Sequence, residues 1–267
     1  TADALVARAF YSYDNRYMLT ASIRRDGYSA FGKSNPRATF PSIALAWNFT
    51  EEKFFKWKPM SYGKLRWSWG KNGNRDIGKY EALSNMTTGA GKYPYITSGG
   101  VVTELGQLYV DRMANHGLKW ETTTSWNIGL DFGFLNNRIN GSVDYYYMPT
   151  TDLIMNQSLT SVSGYTSVTT NLGEVVNKGF ELSLNTLNIS KRNFDWSSTF
   201  TFSLNRNKIK HLYYEYEDIV DVNGNVVGSK EKDDISNNWF IGQPIGAIWD
   251  YNVIGVWQEH ESEEAAK

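Results

Sequence analysis

The chain has 267 residues, with 27 Lys+Arg against 28 Asp+Glu, 3 His and no Cys. A formal net charge of −1 removes the usual electrostatic reason to expect nucleic acid as a partner, and zero Cys excludes disulfides, thiolate metal sites and a thiol nucleophile. Aromatic residues make up 15% of the chain, a bias that favours strands over helices, and 21% charge is too little for a disordered chain.

In chain order, a weak strand pattern covers about 4–13, and clear period-two alternation follows in seven segments. In 17–24 the apolar set is Tyr17, Leu19, Ala21 and Ile23. In 42–49 it is Ile43, Leu45, Trp47 and Phe49, and in 64–69 it is Leu65, Trp67 and Trp69. Segment 125–134 places Trp126, Ile128, Leu130, Phe132 and Phe134 against Ser125, Asn127, Gly129, Asp131 and Gly133. Segments 138–147, 180–185 and 196–205 follow the same rule. A ninth strand is expected through Trp249, Tyr251, Val253 and Trp257. Between the second and third of the seven, TEEKFFKWKP (50–59) reads as one or two helical turns, with Thr50 as cap, acidic residues first, lysines later and Pro59 as a stop.

None of these apolar faces carries a charge, while Arg24, Lys64, Arg66, Asp131, Asp144 and Glu181 fall on the opposite faces. A clean face suits lipid, and it also suits the inside of a sandwich. The connections choose between the two. Short ones (13–16, 50–60, 135–138, 188–193) alternate with long ones (about 26–36, 72–116, 155–170 and 210–243). In an up-and-down meander every second connection lies at the same end, so the long loops gather on one side. Such sorting is expected of an outer-membrane barrel, with short periplasmic turns and long extracellular loops. Aromatics at both strand ends then read as two interfacial girdles. No run reaches the ~18–20 apolar residues of a membrane helix, and the first residues lack the features of a signal peptide.

Other motifs carry less. Gly73-x4-Gly78-Lys79 imitates a phosphate loop, but Tyr80 stands where Ser or Thr should bind magnesium. The acidic run Glu215, Glu217, Asp218 and Asp221 precedes Asn223-Gly224, a hairpin signal, and its spacing is not that of an EF-hand. No carboxylate pair is singled out for hydrolysis. No metal ligands, catalytic residues or cofactor are therefore expected. Tyr93, Tyr95, Tyr109, Trp120 and Trp239, in or beside long loops, are the candidate contacts for a ligand or a covering protein.

The segments YMLTASIRRDG (17–27), FPSIALAWNF (40–49), LRWSWGKNGN (65–74), WETTTSWNIGLDFGFLNNRINGSVDYYY (120–147), NLGEVVNKGFELSLN (171–185) and GQPIGAIWDYNVIGVWQ (242–258) resemble, in family order, the barrel of SusC/RagA-type TonB-dependent transporters. The long loops 75–116 and 210–238 do not share this likeness. The resemblance implies an all-β, antiparallel up-and-down transmembrane β-barrel segment, about 8–9 strands of a 22-stranded barrel, with the plug domain absent and both ends truncated. It implies the outer membrane of a Bacteroidota-type bacterium, uptake of oligosaccharides or peptides, a SusD-like surface lipoprotein as lid, and the TonB complex as the source of force. Residues Arg24, Arg66, Asp131, Asp144 and Glu181 would then line the lumen. The rival expectation is a soluble or surface β-sandwich that binds carbohydrate, which would bury Trp126, Ile128, Leu130 and Phe132 beneath a second sheet.

Overall fold

The computed structural model describes residues 2–31, 33–78, 81–165 and 167–250. Its largest element is an eight-stranded antiparallel sheet of β1 (Ala2–Tyr13), β2 (Tyr17–Tyr28), β3 (Arg37–Asn48), β4 (Met60–Asn74), β7 (Glu121–Phe134), β8 (Ile139–Thr151), β11 (Glu174–Lys191) and β12 (Phe194–His211), hydrogen-bonded in that order. β5 (Asn85–Ile96) and β6 (Val102–Met113) lie between β4 and β7 in sequence, and β9 (Ile154–Ser158) and β10 (Ser167–Asn171) lie between β8 and β11. These four form a second sheet in the order β5-β6-β10-β9, and β13 (Tyr216–Val220) pairs with β14 (Val226–Glu231) as a separate hairpin. β1 and β12 are the two edges of the large sheet, which does not close on itself.

The register explains why the alternation matters. Residues directly opposite in an antiparallel pair share a face. Leu19 faces Leu45, Leu45 faces Trp67, Trp67 faces Ile128, and Ile128 faces Tyr145. Tyr145 in turn faces Phe180, and Phe180 faces Leu204. Seven strands thus contribute to one continuous apolar stripe. Slipping any strand by one residue would turn its whole set to the other side.

Among the described residues, none covers that stripe. Ile128 is 48% exposed, Trp126 44% and Phe200 54%. The buried hydrophobic residues lie elsewhere, most of them in two clusters at the long-loop end. One joins Phe31, Phe40, Ala82, Leu118 and Trp120; the other joins Val175, Ile209 and Leu212. The sandwich expectation requires the opposite distribution, and it fails here.

The turns obey the sorting read from the sequence. β1–β2 closes through Asp14-Asn15-Arg16 and β11–β12 through Arg192-Asn193, both at one end with the 49–59 and 135–138 connections. Asp14, Asn15, Asn136 and Asn137 adopt positive φ, which Asn and Asp tolerate by bonding locally to the backbone.

Three details depart from the sequence reading. The segment 50–59 is not one or two helical turns; it contains a single 3-10 turn at Phe49–Glu51, with Asn48 at the cap position. Thr50 instead bonds the Gly63 backbone across the hairpin, and Glu52 is taken by Tyr17, Trp47 and Arg16. Tertiary partners for Glu52 replace the helix it was expected to start. The Gly73 phosphate-loop mimic is no loop at its start, because β4 runs through Asn74; Lys79 and Tyr80 lie outside the described residues. In the expected ninth strand Trp249 is irregular, and Tyr251, Val253 and Trp257 lie outside the described residues.

Candidate functional site

The face opposite the apolar stripe carries an ion-pair network. β4 presents Lys64 and Arg66, β7 presents Asp131, β8 presents Asp144 and β11 presents Glu181. Arg66 Nε lies 3.0 Å from both Asp131 carboxylate oxygens, and its Nη2 lies 2.9 Å from Asp144 Oδ2. Lys64 Nζ adds a contact of 3.3 Å to Asp131. Gly129 sits opposite Asp144 in the β7–β8 ladder, and a Cβ there would collide with Asp144 and the Arg66 guanidinium. Its missing side chain lets one guanidinium span two strands to both carboxylates. Glu181, directly opposite Asp144 in the β8–β11 ladder, is exposed. Arg24 lies on the same face, toward the long-loop end of β2, and its Nε bonds both oxygens of Asp26 at 2.8 Å. The structure therefore joins Arg66, Asp131 and Asp144, sets Glu181 beside them, and places Arg24 apart.

The candidate loop contacts are dispersed. Tyr95 and Tyr109 are exposed on β5 and β6. Tyr93 lies on β5 opposite Leu105, and its side chain is outside the described residues. Trp239 is partly buried against the Val175–Ile209–Leu212 cluster. Trp120 is 4% exposed, stacked on Phe31 at 4.8 Å between centroids, with Phe40 edge-on at 5.7 Å.

Sequence reasoning missed how far the long connections are built. Asn115 Nδ2 donates to the Thr169 carbonyl, and Asn171 Nδ2 donates to the carbonyls of Lys119 and Asp152. These bonds sew the 75–120 and 152–173 connections together, alongside the parallel β6–β10 pairing. The third long segment is tied by carboxylates. Glu231 accepts from the Leu212 and Tyr214 N–H groups and contacts His211 Nδ1 at 2.8 Å. Asp234 accepts from the Tyr213 hydroxyl at 2.6 Å and from Asn237. Burial works against ionisation of both groups, and these donors outweigh it, so both carboxyls sit below their usual values. Burial and Asp234 together push the Tyr213 hydroxyl well above its ordinary range. At the hairpin tip, Asp221 accepts from Asn223 and Asn225, so the acidic run serves a turn. Among the described residues no group of three or more His, Asp or Glu side chains is arranged to hold a metal ion.

Three comparisons place this geometry among known proteins. The family model described as "TonB dependent receptor-like, beta-barrel" matches residues 2–256. TonB-dependent receptor P3 of Formosa agariphila is 38% identical over 210 residues, covering 78% of this chain and 20% of that protein. TonB-dependent receptor SusC of Bacteroides thetaiotaomicron is 37% identical over 214 residues, covering 77% of this chain and 20% of that protein. Among solved structures, the RagAB peptide importer in its open-open state superposes with a TM-score of 0.70 at 25% identity, over 83% of this chain and 23% of that one. A second RagAB structure gives 0.69 at 24% identity, over 87% of this chain and 29% of that one, a likeness of fold. The chain thus spans about a fifth to a quarter of the length of the curated relatives it matches.

Proposed function

The chain belongs to the TonB-dependent receptor β-barrel family, with SusC among its relatives, and we propose that it forms part of the wall and loop canopy of an active outer-membrane importer of large nutrients, oligosaccharides foremost. The observation that carries this reading is the two-sidedness of the large sheet. One face is apolar and open, as hydrocarbon requires, and the other holds Arg66 between two carboxylates, as a hydrated interior permits. On this reading Arg24, Arg66, Asp131, Asp144 and Glu181 line the lumen. The segments at about 26–36, 72–116, 155–170 and 210–243 face the cell exterior, where a SusD-like lipoprotein would cover them. The TonB complex would supply the force for uptake. Function is then gated passage rather than covalent chemistry.

Exposed Tyr95 and Tyr109 offer flat faces suited to sugar C–H surfaces, which favours an oligosaccharide cargo. A peptide cargo is the second reading, favoured by the likeness to the RagAB peptide importer. The test uses the full-length protein in its own membrane. It should fractionate with the outer membrane, need detergent for release, run with heat-modifiable gel mobility, and be required for growth on one class of polymer-derived nutrient. Recovery as a folded water-soluble monomer would contradict the proposal.

A further inference from the structure

The β3–β4 ladder ends at the pair Ser42–Gly70. Beyond it, where the two strands part, lies a recess of about 370 Å³ that the Arg66 network does not use. That volume falls in the usual range of small-ligand pockets, about 300–1,000 Å³. Its lining includes Arg24, Asp26, Phe40, Lys71, Arg75 and Trp120. Phe40 is held at the wall by a close approach: its ring occupies the space that a Cβ on Gly73 would fill.

The polar groups of the recess, the Asn72 amide apart, can be accounted for one by one. Asp26, 8% exposed, already receives both bonds from Arg24 Nε. The Ser22 and Ser42 hydroxyls bond each other at 2.7 Å. Among the described residues, Lys71 and Arg75 have no carboxylate within ion-pair distance, and Arg75 rests over the Tyr28 ring at 5.5 Å. Among the described residues Trp120 Nε1 has no hydrogen-bond partner; it is buried, in a residue that is only 4% exposed. An indole nitrogen can only donate, and an ammonium or guanidinium can only donate. Three cationic residues line the recess with one carboxylate, and that carboxylate is taken. What remains is positive charge, an orphaned buried donor and an apolar wall.

We infer that this recess is a cargo subsite for an anionic substituent, a carboxylate or sulfate carried on an oligosaccharide. Lys71 and Arg75 supply the charge, Trp120 Nε1 supplies a neutral donor, and Phe40 packs against the sugar ring. The inference rests on the importer reading and narrows it to acidic glycans. A peptide would bring its carboxylate on a flexible side chain or terminus rather than on a sugar ring.

The test uses the full-length importer with its surface lipoprotein, purified in detergent. Binding is measured for oligogalacturonate and for a sulfated oligosaccharide, each beside its neutral counterpart, the methyl ester and the desulfated chain. At least one acidic probe should bind about tenfold tighter than its neutral partner, the factor expected for charge-assisted hydrogen bonds. The preference should shrink at high salt, and which probe wins separates carboxylate from sulfate. The double variant Lys71→Gln, Arg75→Gln should erase the preference while leaving neutral binding intact, and Trp120→Phe should reduce it several-fold without loss of heat-modifiable mobility. Equal binding of acidic and neutral forms, or equal loss of both in the double variant, would overturn the subsite and leave the importer reading standing. Binding of peptides alone would overturn the oligosaccharide reading and the subsite with it. If a variant fails to fold, the acidic-to-neutral ratio of the natural protein and its salt dependence still decide.

Discussion

In the eight-stranded sheet, Leu65, Trp126 and Ile128 stay 39–48% exposed, whereas at the long-loop end Leu118, Ile209 and Leu212 are sealed at 0–3%. Both regions use large apolar side chains, and they satisfy them differently. Among the described residues the wall has no partner for its apolar face, a role that acyl chains would take in an outer membrane. The loop layer lies beyond the strands, would face water, and builds small cores of its own around Trp120 and Ile209. The polar groups follow the same division. On the wall, ion pairs run across neighbouring strands on one face; in the loop layer, single carboxylates such as Glu231 gather backbone N–H groups from irregular chain.

The contrast can be broken most sharply by placing a charge on each side of one wall strand. Ile128→Arg should destabilise the full-length protein in bilayers by about 2–4 kcal/mol, the penalty for a cation on a lipid face near mid-membrane. Asn127→Arg, one residue away on the polar face, should change stability by less than about 1 kcal/mol. Reversible unfolding from vesicles measures both. Equal effects would erase the distinction between the faces.

A smaller effect is expected in the loop layer. Glu231→Ala strands the N–H groups of Leu212 and Tyr214 and should weaken that region by about 1–3 kcal/mol, seen as faster hydrogen exchange across 211–241. Acid should do the same to the natural protein. Glu231 and Asp234 are held below their ordinary values, so their stabilisation is present above the unfolded carboxylate values of about 4 and is lost as pH falls through the depressed folded values. The loop layer should therefore loosen at acid pH before the wall does. The smallest change concerns the β13–β14 tip. Asp221→Ala removes three turn hydrogen bonds at an exposed site and should be read as increased proteolysis at the tip with the wall unaffected.

The same division governs what the sequence could convey. Period-two alternation located seven of the eight wall strands by their apolar faces, and the weak pattern at 4–13 belongs to the eighth. Their lengths were less legible: β11 and β12 each run 18 residues, past the clear alternation at 180–185 and 196–205. β5 and β6 escaped notice because Gly89, Gly91, Pro94 and Gly106 interrupt any periodic pattern there. The shared face of Arg66, Asp131 and Asp144 followed from alternation, but the bonds between them depend on register between residues 65 and 78 positions apart, which no local pattern encodes. Glu52 was misread because its partners, Tyr17 and Arg16, come from another strand and turn. The orphaned indole of Trp120 became visible only once Phe31 and Phe40 were seen to enclose it.

The central claim is that the stripe through Leu65, Trp67, Ile128 and Phe180 faces lipid. The most direct test scans spin labels through 125–132 of the full-length protein in bilayers and compares collisions with lipid-soluble oxygen and a water-soluble nickel chelate. Labels at 126, 128, 130 and 132 should favour oxygen and those at 125, 127, 129 and 131 the chelate, with a strict period of two. Protection of both sets from oxygen, or loss of the alternation, would contradict the account.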